Sequence, residues 1–435
     1  MTAGRGSRTN RRMTSSSNKQ PAVALPGQLA LTEFIPLMGL LTALDALSID
    51  AMIPALSQIG HDLHVASAND AQLVVASMFA GMTFGQIFGG PLSDSIGRKP
   101  AIYAGLVLYL IGCVIAIFAQ TFPVMLAARV LQGFGAAIPV VVSTALVRDL
   151  YQGAPMARIM SFMGSVFILV PVVAPLLGQG ILLLGHWRWI FVMFFVLGFP
   201  ASIWFALRQP ETLAAADRHP FSPARLLTTF LEVCRSRLAI GFSVAAGLFL
   251  GAFFGYLNAS QQIFQETYRT GPYFALYYSA CAATIGIALF SNGKLVERFG
   301  MHRLAMLGCA GIAIIAVLFM PVLLMYSGQP PLWLWMAYLL LTFLGTGLLF
   351  GNLNAIVMEP LGHIAGMGSA VSSGLQMLIS LPLGTLIGRA YDGTVFPAVA
   401  GFALLSSAAL AAMWWAEGGR ARALQAPLGE TGTHS

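Results

Sequence analysis

Residues 90–100 read GPLSDSIGRKP, and they lie between two apolar stretches at residues 71–89 and 101–119. Each stretch is almost free of charge and is long enough to cross a lipid bilayer as a helix. The segment between them is therefore predicted to be a tight turn that joins two membrane-spanning helices. Its Arg98 and Lys99 favour the cytoplasmic side, because positive charge is enriched in cytoplasmic loops.

A weaker copy of this turn occurs in the second half of the chain, where residues 293–300 read GKLVERFG. Four positions match at one constant offset: Gly90 with Gly293, Leu92 with Leu295, Asp94 with Glu297, and Gly97 with Gly300. The copy predicts a chain that is built as two similar halves.

The composition indicates a membrane protein. Charged residues make up 9% of the chain and hydrophobic residues 57%, whereas a soluble domain of this length needs far more charge to cover its surface. The apolar segments are also too long for the alternating strands of a membrane β-barrel. We therefore predict an all-α integral membrane protein with twelve transmembrane helices in two pseudo-symmetric six-helix bundles. The segments lie at about residues 33–57, 71–90, 101–119, 122–147, 160–184, 188–207, 238–264, 273–292, 303–326, 331–357, 367–388 and 395–416.

The distribution of positive charge predicts the topology. Most of the 23 Lys and Arg residues lie in the two tails and in alternate loops, which predicts a multi-pass protein of the cytoplasmic (inner) membrane with both termini in the cytoplasm. The same spread among loops argues against a nucleic-acid partner, which would need a basic patch. The four cysteines are scattered and indicate neither a disulfide framework nor a metal site.

Five regions follow from this pattern. We predict a disordered cytoplasmic tail at residues 1–28, a first bundle at 29–207, a cytoplasmic linker at 208–236, a second bundle at 237–418 and a cytoplasmic tail at 419–435. Within the linker, Ser222 followed by Pro223 is typical of a helix start. The apolar residues after it recur at helical spacing, which predicts an amphipathic helix on the membrane surface.

Three ionisable side chains lie too deep in predicted spans to reach the interface, and such residues are candidates for function. Asp45 and Asp50 belong to span one, and Arg129 belongs to span four. Five residues of helix turn the two acids roughly 140° apart, so we do not expect them to face each other. At about 1.5 Å per residue, Asp50 and Arg129 reach the same depth. We expect an ion pair that protonation of the acid would weaken; the alternative is a static pair that only fixes helix register.

Several of these segments resemble one transporter family. Residues 90–99 are similar to the loop between helices two and three of the major facilitator superfamily, with Ser95 where the family usually has Arg. Residues 129–133, RVLQG, resemble the family's span-four motif R-x-x-Q-G. Residues 48–56, SIDAMIPAL, resemble a span-one stretch of the bicyclomycin and chloramphenicol resistance (Bcr/CflA) branch of drug:proton antiporters, with Met52 in place of a Tyr.

The resemblance implies roles for these residues. Asp50 and Arg129 would couple transport to protons, with Asp45 as an additional carboxylate. Gating would involve the loop residues Gly90, Asp94, Gly97 and Arg98, although these could also form a solvated turn that only fixes topology. Span five carries Pro171, Pro175 and Gly178 in a form that resembles the antiporter motif, and the prolines predict a bent helix.

A polar face in span seven gives a candidate substrate wall. Asn258, Gln261, Gln262 and Gln265 recur at i, i+3, i+4 and i+7, which places them on one face of a helix. Amide groups both donate and accept hydrogen bonds without carrying a charge. We predict that they line a substrate cavity together with Gln132, Tyr256 and Asn352. The alternative is hydrogen bonding between helices without a ligand.

The function implied is proton-coupled efflux of drugs or small amphipathic metabolites by alternating access. Such a drug:H+ antiporter needs no cofactor and no metal, only the proton gradient, a small-molecule substrate and membrane lipid; we expect a monomer, since one chain contains both halves of the pathway. One alternative is a proton-coupled importer on the same fold. A membrane-embedded enzyme is a third class, but the histidines lie mainly in loops and tails, without cysteine partners at metal-ligand spacing.

Overall fold

The computed structural model describes residues 29–220 and 222–425, and this part of the chain is helical without strands. The helices are α1 Leu31–Asp50, α2 Leu56–Asp62, α3 Leu73–Ile96, α4 Arg98–Phe118, α5 Phe122–Leu150, α6 Ala154–Leu184, α7 Arg188–Arg208, α8 Pro223–Arg235, α9 Arg237–Gln262, α10 Phe274–Phe299, α11 Met301–Met325, α12 Leu332–Met358, α13 Ala365–Arg389 and α14 Phe396–Gln425. The predicted tail at residues 1–28 lies outside the described residues, as do residues 426–435.

Twelve helical segments in the described ranges are long and apolar enough to cross a membrane. The first of them, Leu31–Asp62, joins α1 to α2 through the short 3-10 turn Ile53–Ala55. Large apolar side chains cover the outside of the molecule, and Leu184, Phe290 and Met325 are 93%, 87% and 80% exposed. Such a surface suits lipid and not water, since soluble proteins rarely expose large continuous apolar patches. The predicted fold class is confirmed.

The two halves pack in the same order. In the first half α3 and α4 both pack on α5, α1 packs on α6, and α4 packs on α7. In the second half α10 and α11 both pack on α12, α9 packs on α13, and α11 packs on α14. Each contact of the first set therefore recurs six spans later, so the halves are two pseudo-symmetric six-helix bundles.

The copied turn has the same backbone geometry in both bundles. Gly97 separates α3 from α4 with φ +108°, and Gly300 separates α10 from α11 with φ +78°. Residues with a side chain rarely adopt a positive φ of this kind, and glycine adopts it at little cost. The repeated glycine thus lets two long helices follow each other almost directly.

The linker is attached to both bundles. Glu211 accepts hydrogen bonds from the backbone N–H groups of Arg98 and Lys99, at 3.0 and 3.1 Å. The linker helix α8 begins after Ser222, whose hydroxyl accepts from the backbone N–H of Arg225. We call the end of the molecule that carries the linker and Gly97 the linker end, and the opposite end, with residues 63–72 and 390–395, the far end.

The bundles meet along two seams, α3 against α13 and α6 against α10. In the half of this seam nearer the linker end, a Cβ added to Gly374 of α13 would lie 2.4 Å from Ile87 of α3. At the far end of the same seam, a Cβ on Gly388 would lie 2.4 Å from Gln72. The α3–α13 seam is therefore tightly packed in both of its halves. Helix α14 continues beyond residue 418, the predicted end of the second bundle, to Gln425.

Candidate functional site

A cavity of about 550 Å³ lies between the two bundles. Helices α1, α3, α5 and α6 of the first bundle and α9, α10, α12 and α13 of the second line it. Its walls are mainly apolar, and among the described lining residues only Asp45 and Asp50 are formally charged. The cavity extends from mid-depth toward the linker end, because it reaches Asn354 in the last turn of α12.

Asp50 is the last residue of α1 and is 5% exposed. Its carboxylate accepts a hydrogen bond of 2.8 Å from the hydroxyl of Tyr278 in α10. A hydrogen bond to an ionised carboxylate is stronger than one between neutral groups. The contact therefore ties the first bundle to the second through a group that can take up a proton.

The position of Asp50 depends on a close approach between α6 and the turn that follows α1. A Cβ added to Gly178 would lie 1.8 Å from the carbonyl oxygen of Ala51. Only glycine allows α6 to come this near. Pro171 of the same helix borders the cavity. Pro171 and Pro175 both lie within α6, which is continuous from Ala154 to Leu184.

Asp45 also borders the cavity, one and a half turns before Asp50 in α1. The side chain is 4% exposed, and its Oδ1 atom has no hydrogen-bond partner among the described residues. An ideal helix would turn the two acids roughly 140° apart. Both nevertheless contribute to the wall of one cavity.

Among the described residues, Arg129 has no carboxylate partner, so the expected ion pair with Asp50 is wrong. Its guanidinium is fully buried and donates to the carbonyl oxygens of Ser48, at 3.0 Å, and Val74, at 3.2 Å. It also donates to Gln132 at 2.5 Å. The two side chains have different partners. Asp50 accepts a hydrogen bond from Tyr278 of α10, while Arg129 donates to backbone carbonyl oxygens of α1 and α3. Arg129 does not line the cavity.

Gln132 also lies outside the cavity, contrary to the prediction. Its carbonyl oxygen is occupied by Arg129, and its amide nitrogen contacts the sulfur of Cys113 at 3.1 Å. The side chain thus supports the guanidinium inside the first bundle and does not face a substrate.

The four amides of span seven are a third correction, because none of them borders the cavity. Asn258 donates to the carbonyl of Gly384 at 3.3 Å, and Gln261 donates to Gln265 at 2.8 Å. Gln262 donates to Asn69 of the first bundle. They share one helix face as predicted, but that face lies at the far end of α9, beyond the cavity. Asn258 and Gln262 make hydrogen bonds to other segments, as the alternative proposes, whereas Gln261 and Gln265 bond to each other along span seven.

Asn352 is a fourth correction. It exchanges hydrogen bonds with Asn292, the shorter one at 2.8 Å, and so joins α12 to α10. The polar neutral residues that do border the cavity include Asn354 and Gln376. Of the predicted substrate residues, Tyr256 is the one that lines the cavity.

A continuous group of rings from the second bundle, which we call the aromatic wall, was not predicted apart from Tyr256. It consists of Phe249, Phe253, Phe254, Tyr256, Tyr278, Phe343 and Phe350, all of which border the cavity. Phe253 contacts three other members, with ring centroids 5.6–6.4 Å apart. Phe254 stacks on Phe79 of the first bundle at 4.1 Å. The available signal was weak, because aromatic residues in an apolar span also face lipid.

At the far end, polar side chains join the bundles. We call Asn69, Asp70, Gln72, Gln262 and Arg389 the far-end latch. Asp70 and Arg389 form an ion pair at 2.7 Å, and Asn69 donates to the carbonyl oxygens of Arg389 and Tyr391 at 3.0 and 2.9 Å. Gln72 donates to Gln262. These bonds close the cavity on the far side.

At the linker end, Arg98 organises the junction of α3 and α4. The predicted turn at residues 90–100 is shorter than expected, because it is helical on both sides of Gly97. Its guanidinium donates to Asp94 at 2.5 Å and to Asp149 of α5 at 3.0 Å. A Cβ on Gly90 would lie 4.0 Å from Ala370, so this end of α3 is near the start of α13. Asp94, close to the end of α3, is therefore held by Arg98 at the start of α4. Among the described residues, no group of three His, Cys, Asp or Glu side chains is placed to hold a metal ion.

Comparison with known proteins gives consistent relatives. The family model described as Major Facilitator Superfamily matches residues 38–385. The chain is 30% identical to "Uncharacterized MFS-type transporter YdgK" of Bacillus subtilis, over 81% of this chain and 87% of the relative. It is 27% identical to "Bicyclomycin resistance protein homolog" of Haemophilus influenzae, over 84% and 91%. It is 26% identical to "Multidrug resistance protein D" of Escherichia coli, over 80% and 87%.

Among solved structures, the xylose transporter XylE of E. coli in a partially occluded inward-open conformation is similar in fold. The TM-score is 0.71 at 14% identity, over 88% of this chain and 98% of that one.

Proposed function

This chain belongs to the Major Facilitator Superfamily, and on that premise we propose that it exports drugs or small amphipathic metabolites in exchange for protons. The family consists of transporters and not of enzymes, and the relatives named for bicyclomycin and multidrug resistance support export. A cavity of about 550 Å³ falls in the size range of pockets for drug-sized molecules.

The observation that carries the proposal is the hydrogen bond between Asp50 and Tyr278. When Asp50 is ionised, the bond is charge-assisted and holds the bundles together at mid-depth. A proton on Asp50 removes that charge and weakens the bond, so protonation changes the balance between the two arrangements of the bundles. For exchange, Asp50 takes up its proton from the far side and releases it on the linker side, and alternating access couples these steps to the movement of substrate.

The contacts between the bundles support a state that faces the linker end. The far-end latch closes one side, and the cavity extends toward the other. We propose that the linker end is cytoplasmic, because most Lys and Arg residues outside the spans belong to that end. The protein would then lie in the inner membrane with both termini in the cytoplasm and act as a monomer.

The remaining predicted residues receive supporting roles. Arg129 fixes α1 against α3 by binding the carbonyl oxygens of Ser48 and Val74, so it sets the position of Asp50 without pairing with it. Arg98 and Asp94 stiffen the linker-end turn that must move when that end opens or closes.

The test replaces Asp50 with Asn in the whole chain, reconstituted in vesicles with an imposed pH gradient. We expect proton-driven transport to be lost while the protein still folds, since Asn has the same size but cannot exchange a proton. Asp217→Asn, the same change at an exposed linker residue, is the control and should transport normally. Normal gradient-driven transport by Asp50→Asn would refute the proposal.

The direction of transport separates export from import. In inverted membrane vesicles acidified inside, an exporter accumulates a resistance-panel drug in exchange for protons. A proton-coupled importer would instead move its substrate out together with protons. Accumulation that depends on the gradient is the expected result.

A further inference from the structure

At the linker end, acidic side chains of the first bundle hold the start of its third span. Helix α4 begins at Arg98, whose guanidinium donates at 3.0 Å to Asp149 near the end of α5. Glu211, which follows α7, accepts hydrogen bonds from the backbone N–H groups of Arg98 and Lys99. One acid thus comes from the fourth span of the bundle, and the other comes from the segment after the sixth.

The second bundle repeats this arrangement with a histidine between the acids. His302 is the second residue of α11, the third span of its bundle. Its Nε2 atom lies 3.1 Å from Glu359, the residue after α12, and its Nδ1 atom contacts Glu417 of α14. These acids again come from the fourth and the sixth spans. The internal copy therefore includes a charged cluster, but the residue at its centre differs.

The difference between Arg98 and His302 is one of acid–base chemistry. A guanidinium is always charged in a protein, whereas an imidazole changes its charge between pH 5 and 8. A neutral imidazole has one N–H donor and one acceptor nitrogen, so only the protonated ring donates to two carboxylates at once. Hydrogen bonds from His302 to both Glu359 and Glu417 therefore need the proton, and one of them is lost when the proton leaves.

Other elements near His302 also present charged or aromatic groups. The ring of Phe242 in α9 meets the imidazole edge to face, with centroids 5.7 Å apart. Arg237 of α9 donates at 2.8 Å to the carbonyl oxygen of Trp415, two residues before Glu417. The end of α10 and the start of α11 carry four exposed charged residues, Lys294, Glu297, Arg298 and Arg303. The side chain of His302 is 17% exposed, so a proton can reach it from water at the linker end.

The cluster is connected to the seam between the bundles. Glu359 begins the turn Glu359–Ile364, which joins α12 to α13. The same turn carries His363, whose Nε2 atom lies 2.5 Å from Glu232 of the linker helix α8; this second pair is more exposed to water and contributes less. Helix α13, which follows the turn, packs along α3 of the first bundle. A change at His302 therefore reaches a helix that moves when the bundles rock.

We propose that His302 is a regulatory proton-binding site that senses pH at the linker end. With the proton bound, His302 ties α11 to α14 and to the turn after α12, and the protein keeps the arrangement that faces the linker end. Without the proton, the turn is released and the linker end closes more readily. Acid in that compartment therefore slows transport. The inference rests on the proposed function, because export is the activity regulated, but its proton is distinct from the one that Asp50 exchanges.

Hydrogen–deuterium exchange of the whole chain in detergent tests the site without transport. Exchange of the backbone amides in the turn Glu359–Ile364 is measured at pH 6 and pH 8 and corrected for the intrinsic effect of pH. We expect the wild type to lose at least about fivefold of its protection at pH 8. His302→Arg, which keeps the charge as Arg98 does, should be equally protected at both pH values, and His302→Gln should be unprotected at both.

Two further variants separate His302 from other titrating groups. His61→Gln removes a histidine at the far end whose side chain is 89% exposed, and it should behave as the wild type does. Asp50→Asn should also keep the wild-type dependence on pH. Equal protection of the wild type at pH 6 and pH 8 would overturn the inference. A dependence on pH that persists in His302→Arg, or that disappears in Asp50→Asn, would overturn it as well.

Exchange of labelled for unlabelled drug, with the same pH on both sides of the vesicle membrane, tests the regulation. At pH 6 the wild type and His302→Arg should exchange at similar rates, because both carry the charge. At pH 8 the wild type should be at least about fivefold faster, and equal rates there would overturn the regulatory role. If no drug is exchanged at either pH, the proposed export fails, whereas the deuterium exchange still decides whether His302 is the proton site.

Discussion

The two bundles share one packing order but give the cavity different chemistry. The first bundle contributes both acids, and the second contributes the aromatic wall. The repeat therefore extends to helix contacts, which depend on shape, and to the turns at Gly97 and Gly300. It does not extend to the side chains that face the cavity. On the proposed function, the first bundle would handle protons and the second would hold substrate.

This division has a physical reason. An ionisable group inside the bilayer is costly, so a transporter gains by keeping such groups few and close to the contact that they control. Asp50 meets this condition through Tyr278. Rings supply contact area without such a cost. Changes near the acids should therefore alter proton coupling, and changes in the aromatic wall should alter substrate affinity.

The largest effect is expected from Gly178→Ala in the first bundle. The new methyl group would lie 1.8 Å from the carbonyl oxygen of Ala51, next to Asp50, and overpacking of this kind costs up to about 3 kcal/mol. We expect a lower unfolding midpoint in detergent and loss of proton-driven transport.

One glycine serves as a control for Gly178→Ala, and another gives the comparison in the second bundle. Gly180→Ala, on the same helix, places its methyl group in open space and should be neutral. Gly384 of α13 is a close-approach glycine of the second bundle, and a Cβ there would lie 2.7 Å from Phe254. Gly384→Ala should disturb substrate affinity more than proton coupling. If Gly178→Ala and Gly384→Ala lose proton coupling equally, the distinction between the bundles is removed.

Tyr278→Phe is expected to have the next largest effect. The change removes the hydroxyl that donates to Asp50 at 2.8 Å, and a hydrogen bond to a charged group contributes about 2 kcal/mol. Gradient-driven transport should slow strongly although the ring remains in the wall. Tyr277→Phe, one residue earlier and outside the cavity lining, is the matched control. Wild-type coupling in Tyr278→Phe would mean that the hydrogen bond between the bundles does not carry the proton signal.

Local sequence rules predicted much of the fold. The twelve spans follow from apolar length, and the helix after Ser222 follows from its capping residue, because each is determined by neighbours in sequence. The acids of span one were found because charge in a span is conspicuous. The structure places both Asp45 and Asp50 on the cavity, although their roles remain predictions.

The predictions that failed depended on the depth of a residue along its helix and on the direction of its side chain. Helical spacing gave the shared face of the span-seven amides, but spacing does not tell how far along the axis a face meets a cavity. Equal depth suggested that Arg129 pairs with Asp50, but depth does not give the direction of a side chain. Phe290, 87% exposed, and Phe343, 2% exposed, look alike in an apolar span. Only the packing of the second bundle separates the lipid-facing ring from the cavity ring.

Phe253→Leu tests the second bundle with a smaller expected effect. Phe253 contacts three rings of the wall, and an aromatic pair contributes about 1 kcal/mol beyond its buried area. We expect KM for a transported aromatic drug to rise about fivefold, with an unchanged requirement for the pH gradient. Phe290→Leu, which faces lipid, should leave KM as it is. A loss of gradient dependence in Phe253→Leu would place proton coupling in both bundles.

The smallest effect is expected at the far-end latch, from Asp70→Asn. Asp70 pairs with Arg389 at 2.7 Å, but the two side chains are 26% and 54% exposed, and a pair open to water contributes about 0.5 kcal/mol. Transport should change little at low salt, and the difference from the wild type should vanish in 1 M salt, where charges are screened within about 3 Å. An effect as large as that of Tyr278→Phe would make the latch the main closure between the bundles. Asp50 would then control a contact that the far end already holds shut, and the division between a proton bundle and a substrate bundle would lose its basis.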